Sequence, residues 1–311
     1  MAPDLTLDQH RALEATGCEV RADALTRVLY STDASIHKIE PQAVAFPSNT
    51  GETGRLLAAA ADAGLEITPR GAGTGLAGGA VGSGLVVDLA RNNRSIRDFD
   101  PENRTVRVGP GVVLDGLNSF LSPHGLWFGP DVATSSRATL GGMIGNNSSG
   151  AHAPVYGTTV DHVIALEVAL ADGTVAWVGR DHDGLAGLRQ KVDVLVAEHA
   201  AEIKDGMPPG LVKRWPGYGF DHALRSPGDL SRLVTGSEGT LAAVTCAVLS
   251  VVPKPARRGL GVIFFSSMAE AMQAAVDVAE LRPAAVEHID RILLDQTRGQ
   301  RAFAAARELL E

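Results

Sequence analysis

The most informative segment of this sequence is a glycine-rich run, Pro69-Arg70-Gly71-Ala72-Gly73-Thr74-Gly75-Leu76-Ala77-Gly78-Gly79-Ala80-Val81-Gly82-Ser83-Gly84. Seven of the fifteen residues from Arg70 to Gly84 are glycine. Glycine loses more conformational freedom on folding than any other residue, so this density indicates a backbone that takes left-handed angles or lies close to a ligand. Successive N–H groups in such a loop form a concave nest for anions, phosphate among them.

Other interpretations of the run fit less well. A Walker P-loop requires a lysine after its last glycine, and the sequence has no lysine between Lys38 and Lys191. Gly73 to Gly78 matches Gly-x-Gly-x-x-Gly, but that motif needs a helix directly after it, and residues 85–89 predict a strand. A flexible linker would be rich in serine and would lack flanking apolar strands. The sequence therefore predicts strand, glycine loop and strand, with phosphate held by loop amides and without a helix dipole.

Three blocks in a fixed order carry a resemblance to a known family. The first block is residues 69–75, quoted above. The second block is Ala138-Thr139-Leu140-Gly141-Gly142-Met143-Ile144-Gly145-Asn146-Asn147-Ser148-Ser149-Gly150, followed by Tyr156-Gly157. The third block is Thr235-Gly236-Ser237-Glu238-Gly239-Thr240-Leu241. Together they resemble the FAD-linked oxidases with a PCMH-type (vanillyl-alcohol-oxidase-like) FAD-binding domain, and most of all the flavin subunit of bacterial glycolate oxidase, D-lactate dehydrogenase and the FAD/iron–sulfur D-2-hydroxyglutarate dehydrogenases.

The resemblance implies an FAD site. The pyrophosphate is expected on the first block, the flavin ring along the second, and the third block beside the flavin. The residues expected to bind the cofactor are Pro69, Arg70, Gly71, Ala72, Gly73, Thr74, Gly75, Pro130, Ala138, Thr139, Gly141, Gly142, Asn146, Ser148, Ser149, Gly150, Tyr156, Val163, Glu238 and Gly239. Some relatives attach FAD covalently through a histidine in the first block. No histidine lies between His37 and His124, so non-covalent FAD is expected.

The same resemblance implies oxidation of a D-2-hydroxy acid of the lactate, glycolate or 2-hydroxyglutarate class to the 2-oxo acid, with hydride transfer to flavin N5. Two alternatives stay open: a truncated FAD-binding module or subunit that needs a partner, and an NADPH-dependent flavin reductase of the same fold. His152, the Asp161-His162 pair and Arg225 are typical of structural braces or a solvated loop, so no catalytic residue is predicted. The histidines are scattered, and no metal site is predicted.

The expected fold is α+β. It comprises an N-terminal helical segment (1–36), a PCMH-type FAD-binding domain of two α+β subdomains (37–255), and the truncated start of a C-terminal cap domain (256–311). Helices are expected over 5–30 and 268–281, a strand over 261–265, and irregular loops over 141–150 and 208–219. The expected partners are a small 2-hydroxy acid, an electron acceptor, and an iron–sulfur subunit, a cap subunit or a missing C-terminal part.

Composition sets further bounds. The 311 residues are 45% hydrophobic, enough for a sizeable core. The net charge of −8 argues against a nucleic-acid partner. The sequence contains no apolar stretch of about 18 residues, and Met1 is not followed by a basic and then an apolar region, so a cytoplasmic protein is expected, free or peripheral on the inner face of the cell membrane. Cys18 and Cys246 are too few to bind an iron–sulfur cluster in this chain.

Overall fold

A computed structural model describes residues 3–211, 213 and 217–308. The chain separates into two compact units, Met1–Ala256 and Arg257–Glu311. Of the predicted irregular loop over 208–219, residues 212 and 214–216 lie outside the described residues, and its other residues form no helix or strand. None of the helices among the described residues combines the length and the apolar character needed to cross a membrane.

The first unit contains twelve strands and eleven α-helices within the described residues. The strands are β1 Glu19–Arg21, β2 Ala43–Phe46, β3 Ile67–Arg70, β4 Leu85–Asp88, β5 Ile96–Asp100, β6 Thr105–Val108, β7 Leu126–Trp127, β8 Val163–Ala169, β9 Val175–Gly179, β10 His182–Asp183, β11 Ala243–Ser250 and β12 Val252–Pro253. The helices are α1 Leu7–Glu14, α2 Ala24–Tyr30, α3 Thr50–Asp62, α4 Leu114–Leu121, α5 Leu140–Asn146, α6 Ala153–Tyr156, α7 Thr159–His162, α8 Ala186–Glu198, α9 Ala200–Gly206, α10 Phe220–Arg225 and α11 Ser231–Val234. A 3₁₀ turn, Ser122–His124, follows α4.

The first α+β subdomain is built on a four-stranded sheet of order β1-β2-β4-β3. Strands β2, β4 and β3 are parallel, and β1 pairs antiparallel with β2. Every residue of β2 and β4 is buried, which explains their uninterrupted apolar sequence in a sheet covered on both faces. Residues 71–84, the glycine loop, connect the carboxyl end of β3 to β4, so the loop leaves the sheet at a parallel-strand edge.

The second α+β subdomain is built on a six-stranded antiparallel sheet of order β10-β9-β8-β11-β6-β5. Its main core includes the apolar faces of α4 and α5. Ala169 and Ala243, where β8 and β11 pair, belong to the core of the first subdomain. Glu167 on β8 accepts hydrogen bonds from Thr50 on α3 (2.6 Å) and Thr245 on β11 (2.9 Å), which links the two subdomains. The predicted α+β class with two subdomains is confirmed.

Three local predictions are wrong. The segment expected to be helical over 5–30 also contains a strand, β1, because Glu19–Arg21 pairs with β2 at the edge of the first sheet. The loop expected over 141–150 begins as helix α5, whose Leu140, Met143 and Ile144 are buried. Residues 261–265 form no strand, and a strand needs a hydrogen-bonded partner that the described residues of the second unit do not supply.

The second unit contains helices, and its described residues form no core. Its helices are α12 Met268–Ala279, α13 Arg291–Gln296 and α14 Ala304–Glu308, with a 3₁₀ turn at Arg301–Phe303. The predicted helix from residue 268 is confirmed and ends two residues earlier than expected. None of the described residues 257–308 is buried, and large apolar side chains such as Leu260 and Leu281 are exposed. Residues 257–308 therefore have no hydrophobic interior of their own.

Candidate cofactor site

A cavity of about 540 Å³ opens among the three glycine-rich blocks. This volume falls within the range of about 300–1,000 Å³ that is typical of small-molecule and cofactor sites. The first block reaches the cavity from the end of β3, the second through α5, and the third from the segment between α11 and β11. The structure therefore brings together segments that are far apart in the sequence.

Most of the residues expected to bind the cofactor line this cavity. They are Pro69, Arg70, Gly71, Ala72, Gly73, Thr74, Gly75, Ala138, Thr139, Gly141, Gly142, Asn146, Ser148, Ser149, Glu238 and Gly239. Pro130, Gly150, Tyr156 and Val163 do not line it.

Those four residues have other surroundings. Gly150 packs directly on the main chain of Asp131, next to Pro130. The Tyr156 ring packs edge-on against Trp127, with ring centroids 5.1 Å apart. Val163 is buried in the main core at the start of β8.

Close approach of the backbones explains several glycines. A Cβ placed on Gly71 would lie 2.5 Å from Thr139 Oγ1 and 3.3 Å from the Cα of Gly142, so the first and second blocks touch there. A Cβ on Gly239 would lie 3.0 Å from Pro69, where the third block touches the first. Any larger side chain at Gly71 or Gly239 would push the blocks apart.

The glycine loop presents main-chain donors. Within the described part of the chain, no N–H group of residues 71–75 donates a hydrogen bond to another residue. Gly73 (φ +67°) and Gly78 (φ +81°) take left-handed angles that L side chains rarely adopt. Open N–H groups on a left-handed loop have the chemistry of an anion-binding nest, as the sequence predicts.

Arg70 braces this loop from within. Its guanidinium donates to the carbonyl oxygens of Tyr30 (3.2 Å), Thr32 (2.8 Å) and Ala80 (2.9 Å). It also lies over the Tyr30 ring, 5.0 Å from the centroid, and the Tyr30 hydroxyl donates to Asp88. Burial lowers the pKa of Arg70 from its usual value, opposed by Tyr30 and by the nearby carboxylates. The Arg70 side chain therefore has a structural role, because its guanidinium hydrogen-bonds to main-chain carbonyl groups around the loop.

Thr139 carries an unpartnered polar atom where the second block meets the first. It precedes α5 at the N-cap position, yet its side chain makes no cap hydrogen bond. Its Oγ1 is buried and has no partner among the described residues. The N–H groups of Leu140 and Gly141 are already used, donating to Val112 and Pro110. A buried hydroxyl without a partner is costly, so a polar ligand in the cavity would satisfy it.

The third block is fastened to the end of α5. The N–H groups of Gly236 and Glu238 donate to the carbonyls of Ile144 and Gly145, each at 2.9 Å. Glu238 has a left-handed φ of +53°, which is uncommon for a residue with a side chain. A Cβ on Gly79 would lie 3.1 Å from Glu238 Oε2, so this carboxylate also reaches the glycine loop.

The other chemistry-bearing residues singled out from the sequence lie outside the cavity lining. His152 Nδ1 is 2.7 Å from Asp131 Oδ2. His162 Nε2 is 2.7 Å from the carbonyl oxygen of Tyr156. Arg225 forms a 2.8 Å ion pair with Asp221. Among the described residues, no group of three or more His, Cys, Asp or Glu side chains is placed to hold a metal ion.

Sequence reasoning missed part of the lining. The additional residues are Leu76, Ala77, Gly79, Ala80, Leu89, Pro110, Val132, Ala133, Thr134, Met143, Gly145, Val234, Ser237, Ala242 and Val244. Several of these residues are direct neighbours in sequence of predicted site residues, so their place in the lining could have been expected. Pro110 lies in Gly109-Pro110-Gly111, a turn signal between strand and helix that could have been noticed. Residues 132–134 carry no signal of their own.

The lining fits FAD. A dinucleotide carries a diphosphate, which requires donors, and a flat ring system, which requires apolar and small residues. The open N–H groups of residues 71–75 and the unpartnered Thr139 hydroxyl supply donors. Met143, Val234 and Val244 supply apolar surface in the same cavity.

Fold and site together are those expected of a flavin-binding α+β domain, and comparison with known proteins agrees with this expectation. A family model described as an FAD binding domain matches residues 41–179. D-2-hydroxyglutarate dehydrogenase from Pantoea ananatis (strain AJ13355) is 36% identical over 301 residues, which cover 91% of this chain and 29% of that protein. Glycolate oxidase subunit GlcD from Bacillus subtilis (strain 168) is 33% identical over 85% of this chain and 49% of its own length. The resemblance to the FAD-linked oxidases is thus confirmed.

Solved structures show the same fold. A structure of alkyldihydroxyacetonephosphate synthase superposes with a TM-score of 0.65 and 19% identity, over 91% of this chain and 47% of that one. At this identity the likeness concerns the fold alone. The present chain spans less than a third of the dehydrogenase from Pantoea and about half of the glycolate oxidase protein from Bacillus.

Proposed function

We propose that this chain is the FAD-binding portion of a flavin-dependent oxidoreductase that oxidises a D-2-hydroxy acid to the 2-oxo acid. The observation that carries the proposal is the cavity lined by three separate glycine-rich blocks, with open N–H groups on the first block and the unpartnered Thr139 hydroxyl on the second. The named relatives supply the substrate class, because they include a D-2-hydroxyglutarate dehydrogenase and a glycolate oxidase subunit.

The residues of the chain would share the work of holding the cofactor. The N–H groups of residues 71–75 and the Thr139 hydroxyl would bind the diphosphate, and Arg70 would keep the loop in shape. Ser148 and Ser149 would donate hydrogen bonds nearer the flavin, with Glu238 beside it. Bound FAD would supply a hydride acceptor for C2 of the hydroxy acid. Because no histidine lies in the first block, we propose non-covalent attachment.

We propose that residues 37–255 form the PCMH-type domain and residues 256–311 the start of the cap domain. The change of unit at Ala256 and the lack of buried residues over 257–308 support this division. An iron–sulfur subunit, a cap subunit or further sequence of the same protein would then complete the substrate site and pass electrons on. A place in the cytoplasm, free or at the inner face of the membrane, belongs to the same proposal.

The test is an anaerobic titration of the FAD-loaded protein with D-lactate, glycolate and D-2-hydroxyglutarate, followed through the flavin absorption band. Bleaching by any of them supports the proposal, and L-lactate and L-2-hydroxyglutarate serve as matched stereochemical controls. A yellow protein that dithionite reduces but no hydroxy acid reduces would mean that this chain is a binding module. Bleaching by NADPH alone would identify a flavin reductase instead. A folded protein that takes up no FAD would overturn the site as well as the activity.

A further inference from the structure

Residues 31–39, here called the strap, lie against the glycine loop. The two ends of the strap pair with each other: the N–H of Ile39 donates to the carbonyl of Ser31 at 2.8 Å, and Thr32 and Lys38 form an isolated antiparallel β-bridge. At its tip Ile36 is almost fully exposed. Nothing in the glycine motif predicts this partner, which comes from more than thirty residues upstream.

Several contacts join the strap to the loop and to Arg70, the residue directly before it. The N–H of Ala34 donates to the carbonyl of Gly73 at 2.9 Å. Arg70 donates to the carbonyl of Thr32 at 2.8 Å. His37 lies so close to Gly78 that a Cβ there would be 2.6 Å from its ring. The strap therefore reaches both left-handed glycines of the loop and holds the carbonyl of one of them.

The Asp33 carboxylate fixes the strap at its other contact with the loop. One oxygen accepts from the N–H of Ser35 at 2.8 Å, and the other lies 3.4 Å from the N–H of Ala80, which donates to it. Burial by itself would raise the pKa of Asp33, but the hydrogen bonds from Ser35 and Ala80 and the charge of Arg70 lower it overall. Asp33 is not among the residues that line the cavity, so its charge is kept outside.

The hydrogen bond from Ala34 to the Gly73 carbonyl also fixes the direction of the next N–H group, that of Thr74. In a planar trans peptide the C=O of one residue and the N–H of the next point in opposite directions. Because Ala34 holds the Gly73 carbonyl on the strap side, the N–H of Thr74 points away from the strap. Thr74 lines the cavity, and its N–H has no partner within the described chain. We propose that the strap is a positioning element: by holding the Gly73 carbonyl, Ala34 aims the Thr74 N–H at the diphosphate.

This inference rests on the proposed function, since the ligand is the FAD diphosphate. Its test is Ala34→Pro, which removes the N–H that holds the Gly73 carbonyl. The matched control is Ile36→Pro, which places the same ring in the strap at an exposed position whose N–H makes no hydrogen bond to another described residue. In Ala34→Pro the Thr74 N–H should no longer point at the diphosphate. Because hydrogen bonds to charged groups are strong, the Kd for FAD should rise roughly 10- to 100-fold. The control should stay within about twofold of wild type.

A second measurement separates positioning from a general loss of stability. The amide signal of Thr74 in ¹H–¹⁵N spectra should move downfield when inorganic pyrophosphate is added to the wild-type chain, and this movement should be lost in Ala34→Pro. If proline disturbs the fold, replacing Ala34 by lactic acid, which exchanges only the N–H for an ester oxygen, gives the same comparison. Wild-type affinity and an unchanged Thr74 response in either variant would refute the inference and leave the proposed function intact. Failure of the wild-type chain itself to bind FAD would refute the proposed function instead.

Discussion

Gly71→Ala is the substitution that tests the junction of the first two blocks most directly. The new Cβ would lie 2.5 Å from Thr139 Oγ1, where ordinary contacts begin near 3.4 Å, so this oxygen must withdraw by about 0.9 Å. The φ of Gly71 is not left-handed, so the cost comes from crowding and not from backbone strain. Overpacking costs about 1–3 kcal/mol, and the lower entropy of an unfolded chain with alanine offsets about 0.4–1 kcal/mol of this. We expect a net loss of roughly 1–2 kcal/mol in the free energy of unfolding.

The assay is urea unfolding of the cofactor-free protein, with the Kd for FAD measured in parallel. The Kd should rise about 10-fold or more, because the Cβ enters the space between Thr139 and Gly142. Gly116→Ala is the matched control: it lies within helix α4, and a Cβ there meets nothing within 4 Å. That control should be more stable by about 0.5–1 kcal/mol and should bind FAD normally.

Thr139→Ala completes a double-mutant cycle. It removes the oxygen that the new Cβ would meet, so the destabilisation by Gly71→Ala should largely disappear in the Thr139→Ala background. The coupling free energy should be about 1 kcal/mol, well above the 0.3–0.5 kcal/mol within which independent sites add. Additive effects on stability would refute the contact on which the reasoning rests. Thr139→Ala alone should weaken FAD binding while changing the stability of the cofactor-free protein little, because removal of the buried, unpartnered hydroxyl is favourable and loss of the methyl group offsets that gain.

Three further outcomes are expected. Gly73→Val should abolish FAD binding in a folded protein, measured by flavin absorbance after gel filtration, because φ is +67° and a Cβ would lie 2.8 Å from Arg70. Asn49→Ala should cost about 0.5–2 kcal/mol in urea unfolding, because the Asn49 side chain caps α3 by accepting from the N–H of Glu52. Burial raises the pKa of the Cys18 thiol to about 11, so its alkylation in native protein should keep accelerating above pH 9, and a plateau near pH 9 would contradict this.

The strand, loop and strand around the first block could be predicted because their signals are local. The apolar residues of β4 form an unbroken run, and the glycines before it leave no room for a helix. The structure confirms both strands and the absence of a helix between them. The cap at Thr6 and the helix after Asn49 are equally predictable, since each helix follows a capping residue with a clear pattern.

Helix α5 could not be predicted from propensity. Three of its seven residues are glycine, and each costs about 1 kcal/mol relative to alanine in a helix. Burial of Leu140, Met143 and Ile144 in the main core contributes about 1.5–3 kcal/mol each, which outweighs that cost. At Gly141 the packing itself requires glycine, because a Cβ there would lie 2.6 Å from Pro110. Only the three-dimensional packing reveals this balance.

The strap and β1 could not be predicted for a different reason. Their partners are distant in sequence: Ala34 meets Gly73, and β1 pairs with β2 across more than twenty residues. Hydrophobic periodicity describes a segment by itself and carries no information about which loop a main-chain N–H will meet. The candidate site was therefore predictable as a set of donors, whereas the element that orients those donors was not.

The electrostatics of the cavity explain why orientation matters here. The chain carries a net charge of −8, and Glu238 itself lines the cavity. Arg70 is the one arginine or lysine among the described lining residues, and three carbonyl oxygens already engage its guanidinium. A diphosphate must then be held chiefly by neutral dipoles, whose attraction falls off steeply with distance and angle. A lysine side chain can adjust to a misplaced phosphate, but a main-chain N–H cannot, so the loop depends on glycine angles, on the Arg70 brace and on the strap to fix each donor in advance.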